Sequence, residues 1–139
     1  MTIKRTRVLL VDDEEAFARA LKSYLEETRR YEVRIEHSGA RGLSAAREFQ
    51  PDVILLDVIM PDLDGGTVAS RMREDESLAT TPVIFLTAVV SRNEASTHAG
   101  FIGGQWYLAK PISGREVREA IERVINHEPM GNVLNPALG

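Results

Sequence analysis

Asp12-Asp13, Asp57, Thr87 and Lys110 each stand directly after a short apolar run. Such runs read as buried strands, and in an open parallel sheet the carboxyl ends of the strands converge on one rim, where ligands bind. Three carboxylates, a hydroxyl and an ammonium from distant parts of the chain are therefore expected in one small cleft. Crowded carboxylates repel and are costly to desolvate, so they need a cation. Lys110 offsets one charge. A hard, oxygen-seeking divalent ion handles the remainder, and Mg2+ is the cytosolic candidate. It also turns the cleft from anion-repelling to anion-accepting. A carboxylate placed like that of Asp57 can attack phosphorus in line and form an acyl phosphate. The three equatorial oxygens then each need a partner, and Mg2+, Lys110 and Thr87 supply one apiece.

Taken singly, each residue has a plainer use. Asp12-Asp13 could cap the first helix, with Glu14 and Glu15 favouring its dipole. Asp57 could cap a loop, Thr87 could be an ordinary N-terminal cap, and Lys110 could be a solvated surface lysine. The coincidence of all of them at strand ends argues for the shared site.

The elements that must position them alternate strictly. Thr6 to Val11 reads as a strand, and Glu14 to Arg29 as a helix with Phe17, Ala20, Leu21, Tyr24, Leu25 and Thr28 at helical spacing. A weaker strand covers Glu32 to Glu36, and a helix from Ala40 to Phe49 carries Leu43, Ala46 and Phe49 on one face. Val53 to Leu56 is the third strand, ending at Asp57. Pro61 and Gly65-Gly66 frame a loop, and a helix runs on to about Asp75. Pro82 to Leu86 is the fourth strand, Ser91 to Ala99 a poorly amphipathic helix, and Tyr107 to Ala109 a short fifth strand. Ser113 caps a last helix with the stripe Val117, Ala120, Ile121, Val124 and Ile125. Five strand–helix units in alternation predict an α/β, three-layer sandwich: a doubly wound parallel sheet with helices on both faces.

The 139 residues suit one domain. Residues 1–127 form it in this reading, and the Pro-, Gly- and Asn-containing stretch 128–139 is a fraying tail or the start of a linker. Cysteine is absent, which removes disulfides, thiolate nucleophiles and cysteine-based metal sites. No run approaches the ~18 apolar residues needed to cross a bilayer. The basic stretch before Val8 leads into too short an apolar run for a secretory signal, so a cytoplasmic protein without membrane contact is expected. A formal net charge of −4 with scattered basic residues argues against direct nucleic-acid binding.

In order along the chain come Val8-Leu9-Leu10-Val11-Asp12-Asp13-Glu14, then the stretch from Asp52 to Gly65 ending Met60-Pro61-Asp62-Leu63-Asp64-Gly65. Pro82-Val83-Ile84-Phe85-Leu86-Thr87-Ala88 and Tyr107-Leu108-Ala109-Lys110-Pro111 follow. These pieces, in this order, resemble the CheY-like receiver domain of two-component response regulators, over about Arg7 to Ile125. The resemblance implies a flavodoxin-like (βα)5 fold with strand order 2-1-3-4-5. It implies a phosphoryl donor in a sensor histidine kinase or histidine phosphotransfer protein, with Asp57 as phosphoacceptor. Asp12 and Asp13 match the acidic pair that positions Mg2+, with Asp57 and the backbone carbonyl of Ile59 as further ligands. Thr87 and Tyr107 match the switch pair, whose rearrangement repacks the surface of the fourth helix, fifth strand and fifth helix. That surface would control a partner, a homodimer or an output domain. Lys110 matches the phosphate-pairing lysine, and Lys110-Pro111 the family's cis peptide.

The chain departs from the pattern in places. Gly104-Gln105-Trp106 replaces the small and polar residues that often precede the switch aromatic, and Trp106, the single tryptophan, is either packing for the fourth helix or an interface anchor. Ile59 and Val89 are apolar where the family often has polar groups, which predicts slow loss of phosphate. A Mg2+-dependent phosphatase with an aspartyl nucleophile is the alternative, but such enzymes carry a second Asp where this chain has Ile59. A flavin module would need a Ser/Thr-rich loop where this chain has Asp12-Asp13-Glu14-Glu15. His37, His98 and His127 lack metal-ligand spacing and read as surface residues. Met60 and Met72 read as loop and core packing, and Gly100-Phe101-Ile102-Gly103-Gly104 lacks the features of a phosphate-cradling loop.

Overall fold

The computed structural model of the chain describes residues 4–88, 99–102 and 105–126, with backbone alone for 99–102 and 105. The elements in chain order are β1 (Thr6–Val11), α1 (Glu15–Glu27), β2 (Tyr31–Glu36), α2 (Gly39–Phe49) and β3 (Val53–Asp57). They continue as α3 (Gly65–Glu74), β4 (Val83–Thr87), β5 (Ala99–Ile102), β6 (Gln105–Ala109) and α4 (Gly114–Ile125). The sheet order is β2-β1-β3-β4-β6-β5. β1 pairs in parallel with β2 and β3, β4 with β3 and β6. The five parallel strands therefore have the expected order, with β6 in the fifth place.

One strand was not anticipated. β5 runs antiparallel to β6 on the sheet edge, with Ile102 opposite Gln105. The two residues between them in the sequence, Gly103-Gly104, lie outside the described residues. Ala99, expected to end a helix, opens this strand; residues 91–98 of that expected helix lie outside the described residues. The expected tail, 128–139, lies outside them too.

Side chains alternate across the strands and build two cores. Val8, Leu10, Leu55, Ile84, Leu86 and Leu108 pack under α1 and α4, against Leu21, Leu25, Val117 and Ile121. Leu9, Val11, Ile54, Leu56 and Phe85 pack on the other face against α2 and α3, through Ala45, Ala46, Val68 and Met72. The buried stripe of α1 is Ala18, Leu21 and Leu25; Ala20, placed on that stripe from its spacing, is exposed. Trp106 is half-buried against the α1–α4 core.

The helix starts follow local rules except at one place. Ser38 accepts from Arg41 N–H, Asp64 from Thr67 N–H, and Ser113 forms a capping box with Glu116. The N-cap of α1 is Glu14, whose side chain makes no capping bond.

Candidate functional site

The sheet ladder carries the chemistry-bearing residues to a common rim. One residue past the regular strand, Asp12 N–H donates to Glu36 carbonyl at 3.0 Å, Val58 N–H to Leu86 carbonyl at 3.0 Å, and Lys110 N–H to Thr87 carbonyl at 2.8 Å. With Val11 opposite Leu56 in the β1–β3 ladder, Asp12, Asp57, Thr87 and Lys110 are fixed along one edge by backbone bonds. Gly65 closes the approach from below: a Cβ there would lie 2.4 Å from the Asp57 carbonyl oxygen, so only glycine lets α3 start so near. Its amide donates to the Val58 carbonyl at 2.9 Å. Asp62, in the same loop, accepts from Gly39 and Ala40 N–H at 3.1 and 3.2 Å, tying the loop to the start of α2.

Asp12 is 0 % exposed, Thr87 3 % and Asp57 7 %, while Asp13 is open to solvent. One carboxylate oxygen from each of Asp12, Asp13 and Asp57 lies within 4.8 Å of the others. An octahedral ion with donors at ~2.1 Å sets neighbouring donors about 3.0 Å apart and opposite ones about 4.2 Å apart, so a small closure of this set fits Mg2+. Asp12 Oδ2 supports the same fit. It is sealed from solvent, and Lys110 Nζ at 2.7 Å meets it as an ion pair outside hydrogen-bond geometry.

Lys110 reaches into this cluster with its side chain 11 % exposed. Its ammonium lies 2.6 Å from Glu14 Oε1, 3.8 Å from Asp57 Oδ2 and 4.7 Å from the centre of the Phe17 ring. The Lys110-Pro111 peptide is cis. An open recess of about 330 Å³ lined by Glu14, Phe17, Ala88, Lys110, Pro111 and Ile112 leads to it.

The electrostatics follow from the crowding. Burial, and then the charge of Asp12, push the Asp57 carboxyl up to about 6, against the opposing pull of Lys110 and the Ile59 N–H. That N–H donates to Asp57 Oδ1 at 3.2 Å. Burial pulls the Lys110 ammonium down, but its contacts with Asp12 and Glu14 outweigh this and hold it above its ordinary value.

Tyr107, on β6, stacks on Phe85 with ring centroids 5.5 Å apart, next to the strand that ends at Thr87. The Ile59 side chain is 61 % exposed at the mouth of the cleft. Val89, His98 and His127 lie outside the described residues. Sequence reasoning missed two contributors. Glu14, assigned to the helix dipole, pairs with Lys110; Phe17, assigned to the core stripe, lies beneath the same ammonium. Only the acidic run after β1 hinted at the first of these. His37 is exposed, as read from the sequence, and its Nδ1 lies 2.9 Å from the Asp12 carbonyl oxygen.

The fold and this rim define a class, and the comparisons agree with it. Residues 8–122 match the response regulator receiver domain family, and the chain belongs to it. It is 39% identical over 122 residues to the uncharacterized transcriptional regulatory protein YkoG of Bacillus subtilis, covering 88% of this chain and 50% of that protein. It is 37% identical over 119 residues to the DNA-binding dual master transcriptional regulator RpaA of Synechocystis, covering 85% and 47%. The chain thus spans about half the length of these relatives. A putative response regulator from Chloroflexus aurantiacus superposes with a TM-score of 0.75 at 31% identity, covering 88% of this chain and 99% of that one. The chemotaxis protein CheY4 of Vibrio cholerae superposes with a TM-score of 0.74 at 26% identity, covering 87% and 99%. The chain is a two-component receiver domain.

Proposed function

We propose that Asp57 accepts a phosphoryl group from a phosphohistidine on a sensor kinase or phosphotransfer protein. The single observation that carries this is the cluster of Asp12, Asp13 and Asp57 within 4.8 Å, faced by the half-buried Lys110. Asp12, Asp13, Asp57 and the carbonyl of Ile59 would hold Mg2+, which when bound neutralises charge on the transferring group. Asp57 supplies the attacking oxygen. Its carboxyl attacks in the ionised form, which burial and Asp12 disfavour and Lys110 favours. Lys110 then pairs one phosphoryl oxygen, and the Thr87 hydroxyl, at the end of the neighbouring strand, donates to another.

Movement of Thr87 toward the phosphoryl group frees space beside β6, into which the Tyr107 ring turns. The surface around β6 and α4 then changes, and a protein partner, a second copy or an output domain reads it. Trp106 belongs to this surface, and partner affinity of a Trp106→Ala variant tests it as an anchor. In a longer chain, a DNA-binding output segment would follow the domain at residues 1–127, with 128–139 as linker. A cytoplasmic location follows from this role; no helix among the described residues is long and apolar enough to cross a membrane. The domain signals by modification rather than by turnover of a substrate.

Intact mass after incubation with acetyl phosphate and Mg2+ tests the reading. A gain of one phosphoryl group in the wild type and none in Asp57→Asn is expected; an unchanged gain in the variant contradicts it. Ile59 cannot orient a hydrolytic water, so the acyl phosphate is expected to persist, and decay within seconds argues otherwise.

A further inference from the structure

Lys110 must turn to a phosphoryl oxygen for the proposed transfer, yet its ammonium already has a nearer partner. Glu14 Oε1 lies 2.6 Å from Nζ, across 96 positions of sequence, whereas Asp57 Oδ2 lies at 3.8 Å. A second observation separates this contact from ordinary surface pairing. Glu14 occupies the N-cap of α1 but is not one of the short polar residues that close a helix start, and it makes no capping bond, so its carboxylate is not held by its own helix. The other three described helices are all closed by their N-cap side chains. Glu14 N–H is instead held by Asp12 Oδ1 at 2.9 Å, which directs the residue toward the cleft. Its carboxylate, 61 % exposed, has Lys110 as its partner.

We propose that Glu14 is a positioning residue that clamps Lys110 in the resting cleft and competes with the incoming phosphoryl group for its ammonium. This rests on the reading of Asp57 as phosphoacceptor. The chemistry is an exchange of ion pairs with no bond made or broken: Lys110 leaves the Glu14 carboxylate and takes a phosphoryl oxygen. Asp12 and Asp57, which would hold Mg2+, would then be weaker partners for Lys110. Glu14, on the solvent side, still holds it. The clamp sets a threshold for phosphoryl capture and needs both a carboxylate and the reach of a glutamate. Being exposed and outside the core, Glu14 can be changed without loss of the fold.

The test is the affinity of the chain for beryllofluoride, a phosphoryl mimic, at saturating Mg2+, measured by calorimetry on wild type, Glu14→Gln and Glu14→Asp. Mg2+ affinity is measured alone beside it. Removing one exposed charge contact is expected to tighten beryllofluoride binding about two- to fivefold in Glu14→Gln. Glu14→Asp, one methylene shorter, is expected to tighten it similarly, because reach is lost while charge is kept. Equal affinity in wild type and Glu14→Gln overturns the clamp. So does tightening in Glu14→Gln with wild-type affinity in Glu14→Asp, which would be repulsion of the anion by charge alone. A change in Mg2+ affinity that accounts for the whole effect also overturns it. If the wild type binds no beryllofluoride, the phosphoacceptor reading itself fails, and the two failures are thereby told apart.

Discussion

α4 and α1 lie on the same face of the sheet and share one core, yet they begin on opposite terms. Ser113 and Glu116 close α4 reciprocally, with Ser113 Oγ accepting from Glu116 N–H at 3.1 Å and Glu116 Oε1 from Ser113 N–H at 3.2 Å. Every group involved serves its own helix. At α1 the N-cap residue serves the cleft instead: Glu14 pairs with Lys110, while Asp12, two residues earlier, holds Glu14 N–H with Oδ1 and belongs to the carboxylate cluster. Away from the rim, local structure is settled by local groups. At the rim, the acidic residues that lead into α1 are turned to ions across the sheet. Departures from local rules therefore mark the functional end of the molecule.

Substitutions can sharpen that contrast. The largest effect is expected at the two glycines that open α3. A methyl group at Gly65 meets the Asp57 carbonyl at 2.4 Å, while one at Gly66 meets only the exposed capping carboxylate of Asp64 at 3.1 Å. Gly65→Ala should cost about 1–3 kcal/mol in denaturant unfolding and displace Asp57. Gly66→Ala, where the helix-propensity gain is offset by a shift of the Asp64 cap, should stay within about 1 kcal/mol of wild type. Equal effects would show that the approach of α3 to the rim is not sterically set. Next comes Ser113→Ala, expected to lose about 1 kcal/mol with phosphoryl uptake unchanged. Smallest is Glu14→Gln, expected to shift stability by less than about 0.5 kcal/mol. A larger loss there than at Ser113 would break the comparison.

Acid titration separates the two regions in sign. The Asp57 carboxyl, pushed up to about 6, holds its proton when the unfolded chain has already lost it. Its contribution therefore weakens the metal-free fold as pH rises from about 4 to 6. Asp64, by contrast, is held below its ordinary value by the Thr67 N–H and hydroxyl, so its contribution is lost as pH falls. The difference in melting temperature between Asp57→Asn and wild type, without metal, should widen from pH 4.5 to pH 7. A constant difference contradicts the crowding of Asp57.

The strands and their chemistry-bearing ends were legible because each signal was local: an apolar run, then Asp, Thr or Lys. What escaped was set by contacts between distant segments. The closeness of Glu14 to Lys110 depends on β1 and β6 both ending at this rim, three places apart in the sheet, which no spacing within the α1 sequence encodes. His37 meets the Asp12 carbonyl only because β1 and β2 are in register, with Val11 opposite Glu36. The β5–β6 pairing was missed for a different reason. Strict strand–helix alternation leads one to expect a helix before the last strand, and that expectation overrode the glycine pair at Gly103-Gly104.

The most direct test of the shared carboxylate site is thermal unfolding of wild type and Asp57→Asn, each with chelator and then with Mg2+. Relief of repulsion should make the variant melt above wild type without metal, and Mg2+ should raise the wild type much more than the variant. A variant that melts below the metal-free wild type, with equal Mg2+ shifts in both proteins, would mean that Asp12, Asp13 and Asp57 do not act as one cation site.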